Sequence, residues 1–264
     1  MLLSVNGSPV FAYTGSRAFD STLESVVFVH GAGNDHSVWA LQSRYFAHHG
    51  RNVLAVDLPG HGRSGGAPLA SVADIADWII ALLNEAGIDR AALVGHSLGS
   101  LSVLDAAARY APRVSRIALL APSVPMPVAA ALLDAAKQDD HVAFELITGW
   151  SFSPSHLLGG GNRLPGVWMT GSAMRLMERS RPGALHTDLL ACHRYERGLQ
   201  MAARLACPSL LVLGQRDLMA PPANAKALID ALERPRVTML ANCGHSLMSE
   251  APDEVLDALR EFLG

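Results

Sequence analysis

Six short apolar runs, with helix-like stretches between them, constrain this chain more than any other feature. They are Val26–Val29, Val53–Val56, Ala92–Val94, Ile117–Leu120, Leu210–Leu213 and Val237–Leu240. They do not alternate with polar residues, as a strand with one wet face would. A run of this kind must be covered on both sides, the condition of a strand in a parallel sheet. The stretches between supply the covers. Ser71 stands where a helix N-cap belongs, Asp74 follows three residues on, and Ile75, Trp78, Ile79 and Leu82 form the apolar face; Gly87 marks the end. A second helix is expected after Ser97 and runs to Tyr110, stopped by Pro112; Ala225–Leu232 and Asp253–Phe262 complete the set. Alternating β and α units with right-handed crossovers make a doubly wound, mostly parallel α/β sheet. The start, MLLSVNGSPVFAYTG, reads as two short strands turning at Asn6-Gly7.

The rhythm breaks once. From Ser123 to Ala206 there are helical patterns, a Gly159-Gly160-Gly161 loop and no strand signal. This predicts a helical cap, residues 123–206, inserted into a core formed by residues 1–122 and 207–264. A chain of 264 residues fits one domain with such an insert. Half of the residues are hydrophobic and 17 % charged, which excludes a disordered chain. The net charge of −3 leaves no footprint for nucleic acid. Three cysteines make no disulfide framework. The longest apolar stretch, Ile117–Leu133, is broken by Pro122, Ser123, Pro125 and Pro127, so no membrane association is expected. The start lacks the basic region of a signal peptide, and a cytoplasmic monomer or homodimer acting on a small molecule is the expectation.

Gly95-His96-Ser97-Leu98-Gly99 is the sharpest motif, a G-x-S-x-G between an apolar strand and a helix. In that setting the turn is so tight that the serine backbone is strained and its Oγ stands clear of the sheet. A serine hydroxyl needs a base, and the base a carboxylate to orient it. The order Ser, Asp, His along the chain is met by Asp217, at the end of LLVLGQRD, and His245, in NCGHSLMSE. Both lie just past strands, where doubly wound sheets place their sites. Asp57 precedes the serine in a turn-rich loop, and Glu250 reads as a residue at the start of the last helix. The donors for a developing oxyanion are expected from the backbone N–H of Leu98 and of Ala32, the latter in His30-Gly31-Ala32-Gly33. Gly31-x-Gly33 has no third glycine for a dinucleotide site. No His, Cys and carboxylate cluster has zinc-like spacing, so no metal is expected.

HGAGNDHSVW, DLPGHGRS, GHSLGS, LLVLGQRD and CGHSLMSEAP, in this order and spacing, resemble the α/β-hydrolase superfamily. The resemblance covers nearly all of the chain outside Ser123–Ala206. It implies a Ser97–His245–Asp217 triad, an oxyanion hole at Ala32 and Leu98, a helical cap over the site and no cofactor. Serine at the nucleophile position departs from the aspartate of haloalkane dehalogenases and epoxide hydrolases. Taken together, the sequence predicts a serine hydrolase of carboxylesterase type, cleaving a small, mainly apolar ester through an acyl-enzyme. Thioester, lactone, amide or carbon–carbon cleavage uses the same parts, and a hydrolase-like ligand-binding receptor is the alternative of another class. Met126, Trp150, Phe152, Trp168 and Met169 are the expected pocket residues, with Met174 and Met177 also in view. Arg175, Arg179 and Arg181 read as a solvated helix face.

Overall fold

The computed structural model describes residues 1–20, 22–158 and 168–264; the Gly159–Gly161 loop lies outside them. The strands are β1 (Leu2–Val5), β2 (Ser8–Tyr13), β3 (Ser25–Val29), β4 (Asn52–Val56), β5 (Ala91–His96), β6 (Val114–Leu120), β7 (Ser209–Gly214) and β8 (Arg236–Leu240). The α-helices are α1 (Ala40–His48), α2 (Val72–Glu85), α3 (Leu98–Arg109), α4 (Ala130–Lys137), α5 (Val142–Ser151), α6 (Pro154–Leu157), α7 (Met169–Glu178), α8 (Ala184–His193), α9 (Gly198–Ala202), α10 (Lys226–Ala231), α11 (Leu247–Glu250) and α12 (Pro252–Leu263).

One sheet joins the strands in the order β1-β2-β4-β3-β5-β6-β7-β8. β1 and β2 pair antiparallel, β2 meets β4 antiparallel, and every other pair is parallel. Apolar residues at successive positions are divided between two cores. Val27 and Val29 of β3 pack with α2 and α3, whereas Val26 and Phe28 pack with α1 and α12 on the other face. Strand side chains alternate sides, so a strand must be apolar throughout when both sides are roofed. β8 departs from that reading. Val237 and Met239 are 44 % and 48 % exposed, because an edge strand is roofed on one face only.

Ser71 caps α2, its Oγ accepting from the Asp74 N–H at 3.1 Å. Between β6 and β7 the described residues form α4 to α9 and no strand. Part of this segment has its own core, with Leu132, Ala136, Ala143, Leu185 and Leu189 buried together.

The chain lays β4 on one side of β3 and then returns to lay β5 on the other. The loops leaving β3 and β5 therefore diverge, opening a crevice at their carboxyl ends. His30–Gly33 and Ser97 lie there.

Candidate functional site

Ser97 follows β5 with φ 53° and ψ −116°, a left-handed backbone that a serine adopts only under constraint. The flanking glycines explain how the turn fits. A Cβ on Gly95 would lie 2.2 Å from the Gly99 carbonyl oxygen, and one on Gly99 would lie 2.3 Å from that of Val29. Ser97 is held by its N–H, which donates to the Leu120 carbonyl at 2.9 Å. Its Oγ makes no hydrogen bond among the described residues.

Asp217 and His245 come together across the ends of β7 and β8. A Cβ on Gly214 would meet the Gly244 carbonyl at 2.1 Å, so glycine there lets the two loops touch. The Arg216 N–H donates to the Cys243 carbonyl at 2.8 Å. Across this contact His245 Nδ1 donates to Asp217 Oδ2 at 2.8 Å. The other oxygen of Asp217 accepts from the N–H groups of Met219 and Ala220 at 2.9 and 2.8 Å. Burial works to raise the Asp217 carboxyl, but His245 beside it and these hydrogen bonds outweigh it and leave the group below its ordinary value. With Nδ1 engaged, His245 Nε2 is the lone-pair nitrogen, and no described residue bonds to it.

Ser97 and His245 share the wall of a cavity of about 200 Å³. Catalytic hydrogen bonds between such groups often close only with substrate in place. His96 stands between the two loops. Its Nε2 donates to the His245 carbonyl at 2.9 Å and its ring lies 4.9 Å from the His245 ring. Burial, then the nearness of His245, pushes His96 down to about 3, so it is neutral.

Ala32 also lines the cavity, and Leu98 is the first residue of α3. Among the described residues neither backbone N–H donates a hydrogen bond. The Gly31–Asn34 turn is closed by Asn34 N–H to Gly31 carbonyl at 3.2 Å, with Gly33 at φ +66°. Positive φ at the third position is what a type II turn demands, hence glycine.

Of the expected pocket residues, Met126, Trp150 and Phe152 line the cavity, joined by Met177. Trp168 and Met169 do not. Trp168 is 69 % exposed and its ring packs back over Gly171 of its own helix. Met169 lies one helical turn before Ala173, the first α7 residue to reach the cavity, and lines a neighbouring groove instead. Arg175, Arg179 and Arg181 are exposed, and Arg181 also donates to the Ser64 and Gly66 carbonyls at 2.7 and 3.1 Å.

The competing acids are engaged elsewhere. Asp57 Oδ1 accepts from His36 N–H and Nδ1 at 2.8 and 2.7 Å, and Oδ2 from the Arg63 N–H. Asp35 joins His36 and Asp57 in one cluster, but it caps Ser37 at 2.8 Å. Glu250 ends α11 instead of starting the last helix, and it is buried. It accepts from the Gly244 and Ser153 N–H groups at 2.9 Å each and pairs with His156. It thereby ties the His245 loop to the chain after α5. The Ser151 carbonyl adds to that tie, accepting from the His245 N–H at 2.7 Å. No motif announces Ser151, Glu250 or Thr148, which lines the cavity with a buried hydroxyl that has no partner among the described residues.

Comparison with known proteins agrees with this architecture. The chain is 25 % identical over 248 residues to the (E)-2-((N-methylformamido)methylene)succinate hydrolase of Acinetobacter baylyi, covering 91 % of this chain and 90 % of that one. Its fold matches the enol-lactonase of Burkholderia xenovorans with a TM-score of 0.87 at 22 % identity, covering 100 % of this chain and 99 % of the other. It matches a thermophilic esterase of Thermogutta terrifontis with a TM-score of 0.84 at 19 % identity, covering 100 % and 97 %. The sequence profile of the alpha/beta hydrolase family runs from residue 26 to 258, from β3 into α12. With that span matched and the sheet built as described, the chain belongs to the alpha/beta hydrolase family.

Proposed function

We propose that this enzyme is a serine hydrolase of carboxylesterase type, cleaving the ester or a related acyl bond of a small, mainly apolar substrate. The observation that carries the reading is the buried Asp217–His245 hydrogen bond of 2.8 Å beside a strained, unbonded Ser97 on one cavity wall.

The chemistry follows from that arrangement. His245 Nε2 takes the Ser97 proton as Oγ attacks the carbonyl carbon. The tetrahedral oxyanion is met by the Ala32 and Leu98 N–H groups, which no described acceptor occupies. Asp217 keeps the proton on Nδ1 and stabilises the imidazolium. His245 then protonates the leaving alcohol, the C–O bond breaks, and water activated by the same base frees the acid. The segment of residues 123–206, helices α4 to α9 with the chain that leads into and joins them, acts as the cap and supplies most of the pocket wall. No membrane-spanning helix occurs among the described residues, and we place the enzyme in the cytoplasm.

Substrate size and charge are read from the wall. The cavity falls below the several hundred Å³ usual for drug-sized ligands. Among the described residues no Asp, Glu, Lys or Arg lines it. The Acinetobacter relative is named for a succinate derivative, and the groove that shares Asn34, His96, Phe152, Ala173 and Ser246 with the cavity carries Arg175 and Arg179. The names of the enol-lactonase and esterase agree with acyl–oxygen cleavage. Thr148 breaks the apolar surface, and leaving its hydroxyl unpaired costs about 1–3 kcal/mol. We assign it to a hydrogen-bonding group on the substrate distant from the scissile bond.

A fluorophosphonate probe and p-nitrophenyl esters test this. Labelling of Ser97 together with steady turnover is expected, both lost in Ser97→Ala without change in circular dichroism. Ester turnover surviving in Ser97→Ala overturns the assignment, and labelling without turnover favours the receptor.

A further inference from the structure

A carboxylate from the cap reaches the loop that carries Ala32. Asp188 sits in the middle of α8, 1 % exposed. Its Oδ2 accepts from the Gly33 N–H at 2.9 Å and from His61 Nε2 at 2.9 Å. Gly33 is the φ-positive residue of the Gly31–Asn34 turn, and its N–H belongs to the peptide that follows Ala32. Fixing that peptide plane holds Ala32, which lines the cavity beside Ser97.

The site is built for a full charge. His61 Nδ1 faces the Pro59 carbonyl at 3.0 Å while Nε2 faces the Asp188 carboxylate. Both partners are acceptors only, so both ring nitrogens carry protons and His61 is an imidazolium. The charged pair is buried on both sides. His30 completes the surroundings, its ring 5.1 Å from that of His61, and stays neutral because Nδ1 donates to the Gly31 carbonyl while Nε2 accepts from the Leu58 N–H. The same cap closes on Gly33 by packing. A Cβ there would lie 3.0 Å from Leu185 Cδ1 of α8 and 3.7 Å from Met177 Cγ of α7.

We propose that Asp188 is a positioning residue for the reaction, holding the Gly31–Asn34 turn from the cap so that the Ala32 N–H is aimed at the oxyanion. Its charge is balanced by His61 of the DLPGHGRS loop, so three separate segments form one charge-compensated clamp. This rests on the serine hydrolase reading. It gives the cap a part in catalysis, and α8 does not swing away from the turn during turnover. An apolar side chain at this position would leave the imidazolium buried and unpaired, and would free the Gly33 N–H.

Asp188→Ala and the isosteric Asp188→Asn test the proposal by two readouts. The first is kcat per active site, counted by fluorophosphonate labelling, on a p-nitrophenyl ester. At least a ten-fold fall in kcat with KM within three-fold is expected for Asp188→Ala, and a smaller fall for Asp188→Asn, whose amide oxygen still accepts from Gly33. A purely structural residue lowers melting temperature and the number of labelled sites but leaves kcat per site intact, and that result overturns the proposal. The second is amide hydrogen exchange of the peptide spanning residues 30–36, expected to quicken at least ten-fold in Asp188→Ala while β5 stays protected. Unchanged exchange there also overturns it. The exchange result stands whether or not the wild type hydrolyses esters, whereas absence of all ester turnover in the wild type sinks the hydrolase reading.

Discussion

Stability is expected to fall steeply between pH 6.5 and 4, and His30 sets a defined share of the slope. The ring is fully buried and neutral, and burial with the nearby His61 charge lowers it from 6.5 to about 4. Across that window the unfolded chain takes up a proton at residue 30 and the folded chain does not. The unfolded state binds more protons, so stability drops as pH drops. Each pKa unit is worth about 1.4 kcal/mol, which gives about 3 kcal/mol from His30 alone. That compares with a total of about 5–15 kcal/mol for an ordinary domain. His96, lowered to about 3, adds a slope of the same sign that continues further into acid. The other buried groups shifted around the site, His61, Asp57 and Asp217, act outside the window. Against the opposing effect of burial, His61 is raised by Asp188, so its contribution is complete below 6.5 and is lost as pH climbs through its folded value. Asp57 and Asp217 are lowered, so theirs is present above 3.8 and is lost only as pH falls through their folded values. The perturbation is His30→Gln, whose amide oxygen can still accept from the Leu58 N–H but takes no proton. Urea unfolding followed by circular dichroism at intervals from pH 7 to 4 reads the slopes. The variant's slope is expected to be shallower by about 1.4 kcal/mol per pH unit, whatever its absolute stability. Parallel profiles for variant and wild type would refute the reasoning.

Three further outcomes follow from the geometry. Asp217→Asn should lower kcat by about 10³–10⁴ with circular dichroism unchanged, since the amide oxygen still accepts from Met219 and Ala220 but no longer fixes the imidazole tautomer; a loss under ten-fold in ester turnover contradicts the role. Gly99→Ala should unfold the protein or cost more than about 3 kcal/mol, because the new methyl meets the β3 backbone, whereas Gly149→Ala in α5 meets nothing within 4 Å and should stabilise by about 0.5–1 kcal/mol in the same urea assay. Thr148→Val should leave turnover of simple alkyl esters unchanged and raise KM only for esters bearing a hydroxyl or keto group away from the scissile carbonyl; a uniform change across such a panel removes Thr148 from substrate recognition.

The parts of this protein that depend on local physics were readable from the residues. Runs apolar at every position had to become strands covered on two faces, and Val26 to Val29 divide between the two cores as that requires. The glycines around Ser97 signalled a turn no Cβ could share. Ser71 named the start of its helix. Asp217 and His245 were legible because a doubly wound sheet brings the carboxyl ends of its strands to one rim, so order along the chain becomes proximity in space. What depends on which distant surfaces meet was not readable. Trp168 and Met169 have the side chains of a pocket and miss it, one folded onto Gly171 and the other a helical turn too early. Glu250 is close to His245 in sequence, yet its role is fixed by Ser153 and His156, about a hundred residues away. Asp188 carries no motif and sits in a helix of ordinary composition; only packing of α8 against two loops more than a hundred residues earlier turns it into a buried ion. Sequence fixes which residues can bend, cap, cover and react. Tertiary structure decides which polar groups must satisfy one another, because a buried charge takes its partner from whatever the fold delivers beside it.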